Sequence, residues 1–179
     1  MKTIILIILM TIISGTMSEK VLFDFNESSG IQSWQVVNDG VMGGLSKGFI
    51  KLSTEGHAVY QGEVSLENNG GFSSVRHRFP RINISDYENI CLRVKGDGKR
   101  YQLRLKEDSY DRHSFITYFE TSGSWEDICL PLSAFYPTFR GYRLRMDDFQ
   151  GNVLSEIGLL VGNKQAESFA IEIDKISLQ

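Results

Sequence analysis

From Lys20 onward, apolar and polar residues alternate with a period of two, in short runs separated by turn-forming residues. Ile90-Cys91-Leu92-Arg93-Val94 and Tyr101-Gln102-Leu103-Arg104-Leu105 show it cleanly, and the last run places Phe169, Ile171 and Ile173 on one side. Successive side chains of a strand point to opposite faces, so a run of this kind is a strand with one face in a core and the other toward water. No stretch after residue 20 carries the spacing of a long amphipathic helix. About eleven strands can be traced in this way, and many short strands with turns between them form an antiparallel β-sandwich or jelly roll. A chain of 179 residues suits one such core.

Two glycine-rich loops punctuate the pattern. The first is Asn38-Asp39-Gly40-Val41-Met42-Gly43-Gly44-Leu45-Ser46, and the second is Asn68-Asn69-Gly70-Gly71-Phe72. Glycine is used where the backbone needs positive φ or must approach another segment closely. Both loops therefore have a defined shape, and Asn38, Asp39, Gly43, Gly44, Asn69, Gly70 and Gly71 are candidate binding residues. Calcium ligation by Asn38, Asp39 and Asp97 is the rival of plain turn chemistry, which explains all three equally well. Further along, Asp97-Gly98 lies between two alternating runs and reads as a hairpin joining residues 90–94 to 101–105. Pro80 has no N–H to donate and is expected to end the strand that begins near Phe72. A single helical turn over 82–88 and a polar connection over 139–152 complete this outline.

The hairpin expectation carries a second one. With Leu92, Val94, Leu103 and Leu105 inward, Arg93, Gln102 and Arg104 project from the opposite face, joined by Arg76 and Arg78 if their strand is adjacent. Planar guanidinium groups and a glutamine amide suit carboxylates, phosphates or sugar hydroxyls. Two readings of this face are open, a ligand site and a charged solvated surface. Between Arg76 and Arg112 there are ten Lys or Arg and six acids, a local +4 in a chain of net charge −3. The overall charge offers no general attraction for nucleic acid. Trp34, Tyr60, Tyr118, Trp125 and Phe139 are candidates for stacking on a sugar or a protein partner, with burial in the core as the rival.

Signals for catalysis are missing. His57, His77 and His113 lack metal-ligand spacing, and no Gly-x-Ser-x-Gly elbow occurs. Gly43-Gly44-Leu45-Ser46-Lys47-Gly48 runs into a strand, whereas a phosphate loop opens a helix. No cofactor, metal or catalytic residue is expected, and the chain reads as a binding module.

At the N-terminus, Lys2 precedes the apolar run Ile4–Ile13 and the small residues Ser14-Gly15-Thr16. This is the order of a secretory signal peptide. The expectation is a cleaved segment 1–18, a domain over 19–179, export to a periplasmic or extracellular space and no membrane span in the mature chain, with an uncleaved membrane anchor as the alternative. Cys91 and Cys129 are the only thiols. Either a disulfide or a pair of buried free thiols is compatible with one cysteine in each of two strands.

Trp34 followed by Val37-Asn38-Asp39-Gly40-Val41-Met42-Gly43-Gly44-Leu45-Ser46 resembles the opening signature of the NADH:ubiquinone oxidoreductase intermediate-associated protein 30 family. Tyr60-Gln61-Gly62, Asn68 through Arg76, Val94 through Tyr101, Leu130-Pro131 and Phe139-Arg140-Gly141 extend the resemblance, which also places Arg140 among the candidate site residues. It implies a galactose-binding-like jelly roll and a non-catalytic role in complex I assembly, binding a protein partner or assembly intermediate. Carbohydrate is the alternative ligand, as in an exported sugar-binding domain.

Overall fold

The alternating pattern becomes thirteen strands among the described residues, 19–179 of a computed structural model. They form two antiparallel sheets. The six-stranded sheet runs β3 (Lys47–Leu52), β4 (Ala58–Val64), β13 (Glu167–Leu178), β6 (Asn89–Lys95) and β9 (Trp125–Pro131), with β1 (Lys20–Asp24) also paired to β13. The seven-stranded sheet runs β11 (Tyr142–Arg143), β10 (Tyr136–Phe139), β8 (Ser114–Glu120), β7 (Arg100–Lys106), β12 (Val153–Val161), β5 (Ser73–Asn83) and β2 (Trp34–Asn38). Helical structure among the described residues is confined to short 3-10 turns. The apolar segment 1–18 lies outside the described residues.

The core fills the space between the sheets. Ile90, Leu92, Val94, Ile171, Ile173 and Ile176 enter it from one sheet, and Val75, Tyr101, Leu103, Leu105, Ile157 and Leu159 from the other, all of them buried. Each such side chain contributes about 1.5–3 kcal/mol by leaving water. An exposed pair such as Arg93–Asp127 (3.0 Å) is worth about 1 kcal/mol at most, so the inward faces decide the fold.

Several local expectations are corrected. Asp97-Gly98 does not close a hairpin. β6 pairs with β13 and β9, whereas β7 pairs with β12 and β8, so residues 96–99 carry the chain from one sheet to the other. Asp97 holds this corner by accepting hydrogen bonds from Lys99 Nζ (2.8 Å), Tyr101 Oη (3.0 Å) and Ala170 N (3.0 Å).

Pro80 does not end its strand, since β5 continues to Asn83. The register between β5 and β12 shifts between Arg78↔Glu156 and Ile82↔Leu154, and Pro80 sits in that irregularity. On its other side β2 reaches only His77, so no ladder position requires the missing N–H. Residues 82–88 therefore finish β5 and form a turn, with no helix.

The connection after Phe139 also begins as a strand pair. Arg140 (φ 50°) and Gly141 (φ 80°) turn the chain between β10 and β11. Positive φ at both central residues is what a tight type I′ hairpin needs.

Cys91 and Cys129 face each other across β6 and β9 and form a disulfide, which removes the free-thiol alternative.

Candidate functional site

Asp39 is the hub of the two glycine loops. Its side chain is 1% exposed. One carboxylate oxygen accepts from Ser46 N (3.0 Å), and the other accepts from Gly71 N (2.7 Å), Phe72 N (3.3 Å) and the Ser46 hydroxyl. Two glycines make room for it. A Cβ at Gly44 would lie 2.4 Å from Asp39 Cγ, and one at Gly70 would lie 2.7 Å from Oδ2. Gly43 (φ 89°) ends the short 3-10 turn over Asp39–Met42 in a left-handed conformation that a side chain would strain. Beside it, Asn38 Oδ1 accepts from Gly48 N (3.1 Å) and from the Ser73 hydroxyl (2.7 Å). Turn chemistry thus occupies the oxygens of Asn38, Asp39 and Asp97. Among the described residues, no cluster of three or more His, Cys, Asp or Glu side chains could hold a metal ion.

Burial by itself raises the Asp39 carboxyl, but the hydrogen bonds from Ser46, Gly71 and Phe72 outweigh it and hold the group below the ordinary aspartate range. Asp97 follows the same pattern, with burial opposed by Lys99, Ala170 N and Tyr101. Both folded values lie below the unfolded value of about 3.9, so the stability these groups contribute is complete above that pH and is lost as pH falls through the lower folded values. Urea midpoints measured from about pH 5 down to about pH 2 should fall steeply, and Asp39→Asn should flatten that limb. An equally steep limb in the variant would remove Asp39 from the acid response.

A groove of about 1030 Å³ lies over the outer face of the seven-stranded sheet. Its floor follows from strand register. Gly158 on β12 stands opposite Arg76 on β5 and Arg104 on β7. One step along, Glu156 stands opposite Arg78 and Lys106, and one step the other way Leu160 stands opposite Ser74 and Gln102. Glu156 is buried and holds both of its neighbours, with Oε2 2.7 Å from Arg78 Nε and Oε1 3.9 Å from Lys106 Nζ. Arg104 Nη1 donates to Gln102 Oε1 (2.7 Å), and Gln102 Nε2 donates to Tyr118 Oη (2.8 Å). Burial presses the Arg104 guanidinium below its usual pKa, partly offset by Glu156. Lys106 is lowered by burial first, with Glu156 opposing and Arg76, Arg78 and Arg104 adding to the fall.

The groove collects part of the arginine face and part of the loops. Arg76, Gln102, Arg104, Arg140, Asn69 and Gly71 all line it. Asn38, Asp39, Gly43, Gly44 and Gly70 do not; they tie the loops together and so position Asn69 and Gly71. Arg93 does not project beside Gln102 and Arg104, because its strand belongs to the other sheet. There its guanidinium meets Asp127 (3.0 Å) and lies 5.8 Å from the Trp125 ring centre. Trp34 and Tyr60 are core residues, whereas Tyr118 and Phe139 line the groove.

Sequence reasoning missed Lys106, Tyr136, Glu156 and Gly158. Lys106 continues the alternation of Gln102 and Arg104. Glu156 is a lone charge inside the apolar run 153–161, and a charge buried in a strand must have partners. Both signals were visible.

A family model for Complex I intermediate-associated protein 30 matches residues 23–173. Complex I intermediate-associated protein 30, mitochondrial, of Mus musculus is 25% identical over 185 aligned residues, covering 89% of this chain and 56% of that protein. Its counterpart in Drosophila melanogaster is 26% identical over 187, covering 89% and 62%. The chain therefore spans somewhat more than half the length of these relatives. Among solved structures, the family 11 carbohydrate-binding module of cellulase Lic26A-Cel5E from Clostridium thermocellum superposes with a TM-score of 0.65 at 20% identity, covering 90% of this chain and 94% of that one. A family 11 module from the same organism, in complex with a β-1,3-1,4-mixed-linked tetrasaccharide, gives 0.64 at 20% identity, covering 89% and 94%. These likenesses establish the galactose-binding-like jelly roll. The naming of both relatives as mitochondrial overturns the expectation of an exported protein, because a positive start and an apolar run are too generic to assign an address by themselves. With most of its length matched by the family model, the chain belongs to the Complex I intermediate-associated protein 30 family.

Proposed function

We propose that this domain is a non-catalytic binding module that assists complex I assembly in mitochondria by holding a protein subunit or assembly intermediate in the groove over its seven-stranded sheet. One observation carries the reading: a single groove of about 1030 Å³ gathers Arg76, Gln102, Arg104, Arg140, Asn69 and Gly71 on a rigid strand floor. A concave site with convergent polar groups is the usual place for a ligand. The names of the relatives supply the partner class. A carbohydrate in the same groove is the second reading, favoured by the fold's likeness to the module solved with a tetrasaccharide.

The test is co-purification of complex I subunits from mitochondrial extract, identified by mass spectrometry. Wild-type protein and Arg93→Ala, which alters only the other sheet, should recover them. Ser74→Trp, which fills the groove floor, and Arg140→Glu on its exposed rim should recover at least tenfold less, roughly the effect of losing one well-made contact. Circular dichroism checks that each variant is folded. Equal recovery by all four proteins, or none by the wild type, would overturn the assignment. Binding to a glycan array that Ser74→Trp abolishes, without complex I capture, would put the carbohydrate reading in its place.

A further inference from the structure

The floor of the groove holds more positive charge than its one carboxylate, Glu156, answers. In the row of Glu156, one carboxylate serves Arg78 and Lys106. In the next row, Arg76 and Arg104 flank Gly158, which brings no side chain at all. The space over Gly158 is about two strand spacings wide, roughly 10 Å, enough for an anion to lie between the two guanidinium groups. Arg104 Nη1 is satisfied by the neutral amide of Gln102, and Arg76 Nε is buried without a hydrogen-bond partner. A buried donor in that state is costly unless something binds it. Across the whole lining there are seven Lys or Arg side chains and one carboxylate, Glu156, in a chain whose net charge is −3; of the seven, Arg143 is also paired with Asp148 (2.9 Å) at the groove's edge.

The aromatic rings point the same way. A guanidinium lies over Tyr118 (Arg100, 4.5 Å), over Phe139 (Arg112, 4.9 Å) and over Tyr136 (Arg143, 4.8 Å). Each of these rings thus already has a guanidinium against one of its faces, which leaves less ring surface for a neutral sugar to stack on. A volume of about 1030 Å³ also exceeds what a lone oxyanion fills, so several residues of an extended segment fit beside the anion.

We infer that Arg76 and Arg104, across Gly158, form a carboxylate-binding subsite through which the groove takes an acidic segment of its protein partner. The inference rests on the groove being the binding surface, and it adds the chemistry of what enters. Guanidinium forks match carboxylate geometry with paired hydrogen bonds.

The experiment titrates the whole protein with fluorescent decaglutamate, with decaglutamine, and with inorganic phosphate as competitor. Decaglutamate should bind and decaglutamine should not. Arg76→Gln and Arg104→Gln should each weaken decaglutamate about tenfold, and raising salt from about 50 to about 500 mM should weaken it further. Both variants keep the length and polarity of a groove side chain, and circular dichroism checks their fold. Binding of decaglutamine equal to that of decaglutamate, or decaglutamate binding untouched by both substitutions, overturns the subsite. Displacement of decaglutamate by millimolar phosphate, with the same dependence on Arg76 and Arg104, makes the site a phosphate site and overturns the acidic segment. Failure here is distinct from failure of the groove reading. If Ser74→Trp abolishes complex I capture and Arg76→Gln/Arg104→Gln leaves it intact, the subsite is wrong and the groove stands; no capture by wild type removes the groove itself.

Discussion

Asp39→Ala should cost this domain about 3 kcal/mol or more, because each buried donor left without its acceptor costs about 1–3 kcal/mol. The substitution strips acceptors from Ser46 N, Gly71 N and Phe72 N at once, in a position 1% exposed where water has no easy access. It also leaves a void lined by Gly44 and Gly70, which fit against the carboxylate and have no side chain with which to fill it. Total stability of a domain is commonly about 5–15 kcal/mol, so the loss would be a large share of it. Asp39→Asn should recover only part, because one of its two acceptors becomes a donor facing other donors. Urea unfolding with linear extrapolation measures both. A change below about 1 kcal/mol for the alanine variant would show that the loops hold themselves without Asp39. A functional consequence follows, since Asn69 and Gly71 reach the groove only because Asp39 holds the second loop down.

Loss of the Cys91–Cys129 disulfide should be of similar size. The bond closes a loop with a sequence separation of 38, for which the chain-entropy relation gives about 4 kcal/mol. For a domain of this length that corresponds to a fall in Tm of roughly 10 °C. Cys91 and Cys129 sit on the outer face of the six-stranded sheet, on the side of Arg93 and away from Leu92 and Val94, so Cys91→Ala/Cys129→Ala removes the cross-link without opening the core. Calorimetry of the double variant, and of the wild type with and without reductant, measures the effect. Alkylation should label the unfolded wild-type chain only after reduction. Labelling before reduction, or a Tm unchanged by the double substitution, would contradict the bond or its contribution.

The arginine face shows how far a sequence can be read. Arg76 and Arg104 were recognisable as outward residues of strands, and they do share one surface. Arg93 was recognisable in the same way and lies on the opposite side of the molecule. All three obey the same alternation, and nothing within five residues of any of them distinguishes one sheet from the other. The glycine loops behave differently. Their shape was legible from composition, but the reason for Gly44 and Gly70, room for a carboxylate, required knowing that residues 39 and 70 meet.

The alternation of residues along each strand, with turn formers between, determined a helix-poor antiparallel sandwich and told inward from outward side chains, because a period of two is a property of neighbours. Which strands became partners was decided by the folded chain alone. Asp97-Gly98 turns the backbone equally well within a sheet or between two, and Leu92 and Leu103 are buried inward residues on either course; the ladders that β6 makes with β13 and β9, and β7 with β12 and β8, take the second. That choice parts Arg93 from Arg104 and sets Arg76 and Arg104 on either side of Gly158.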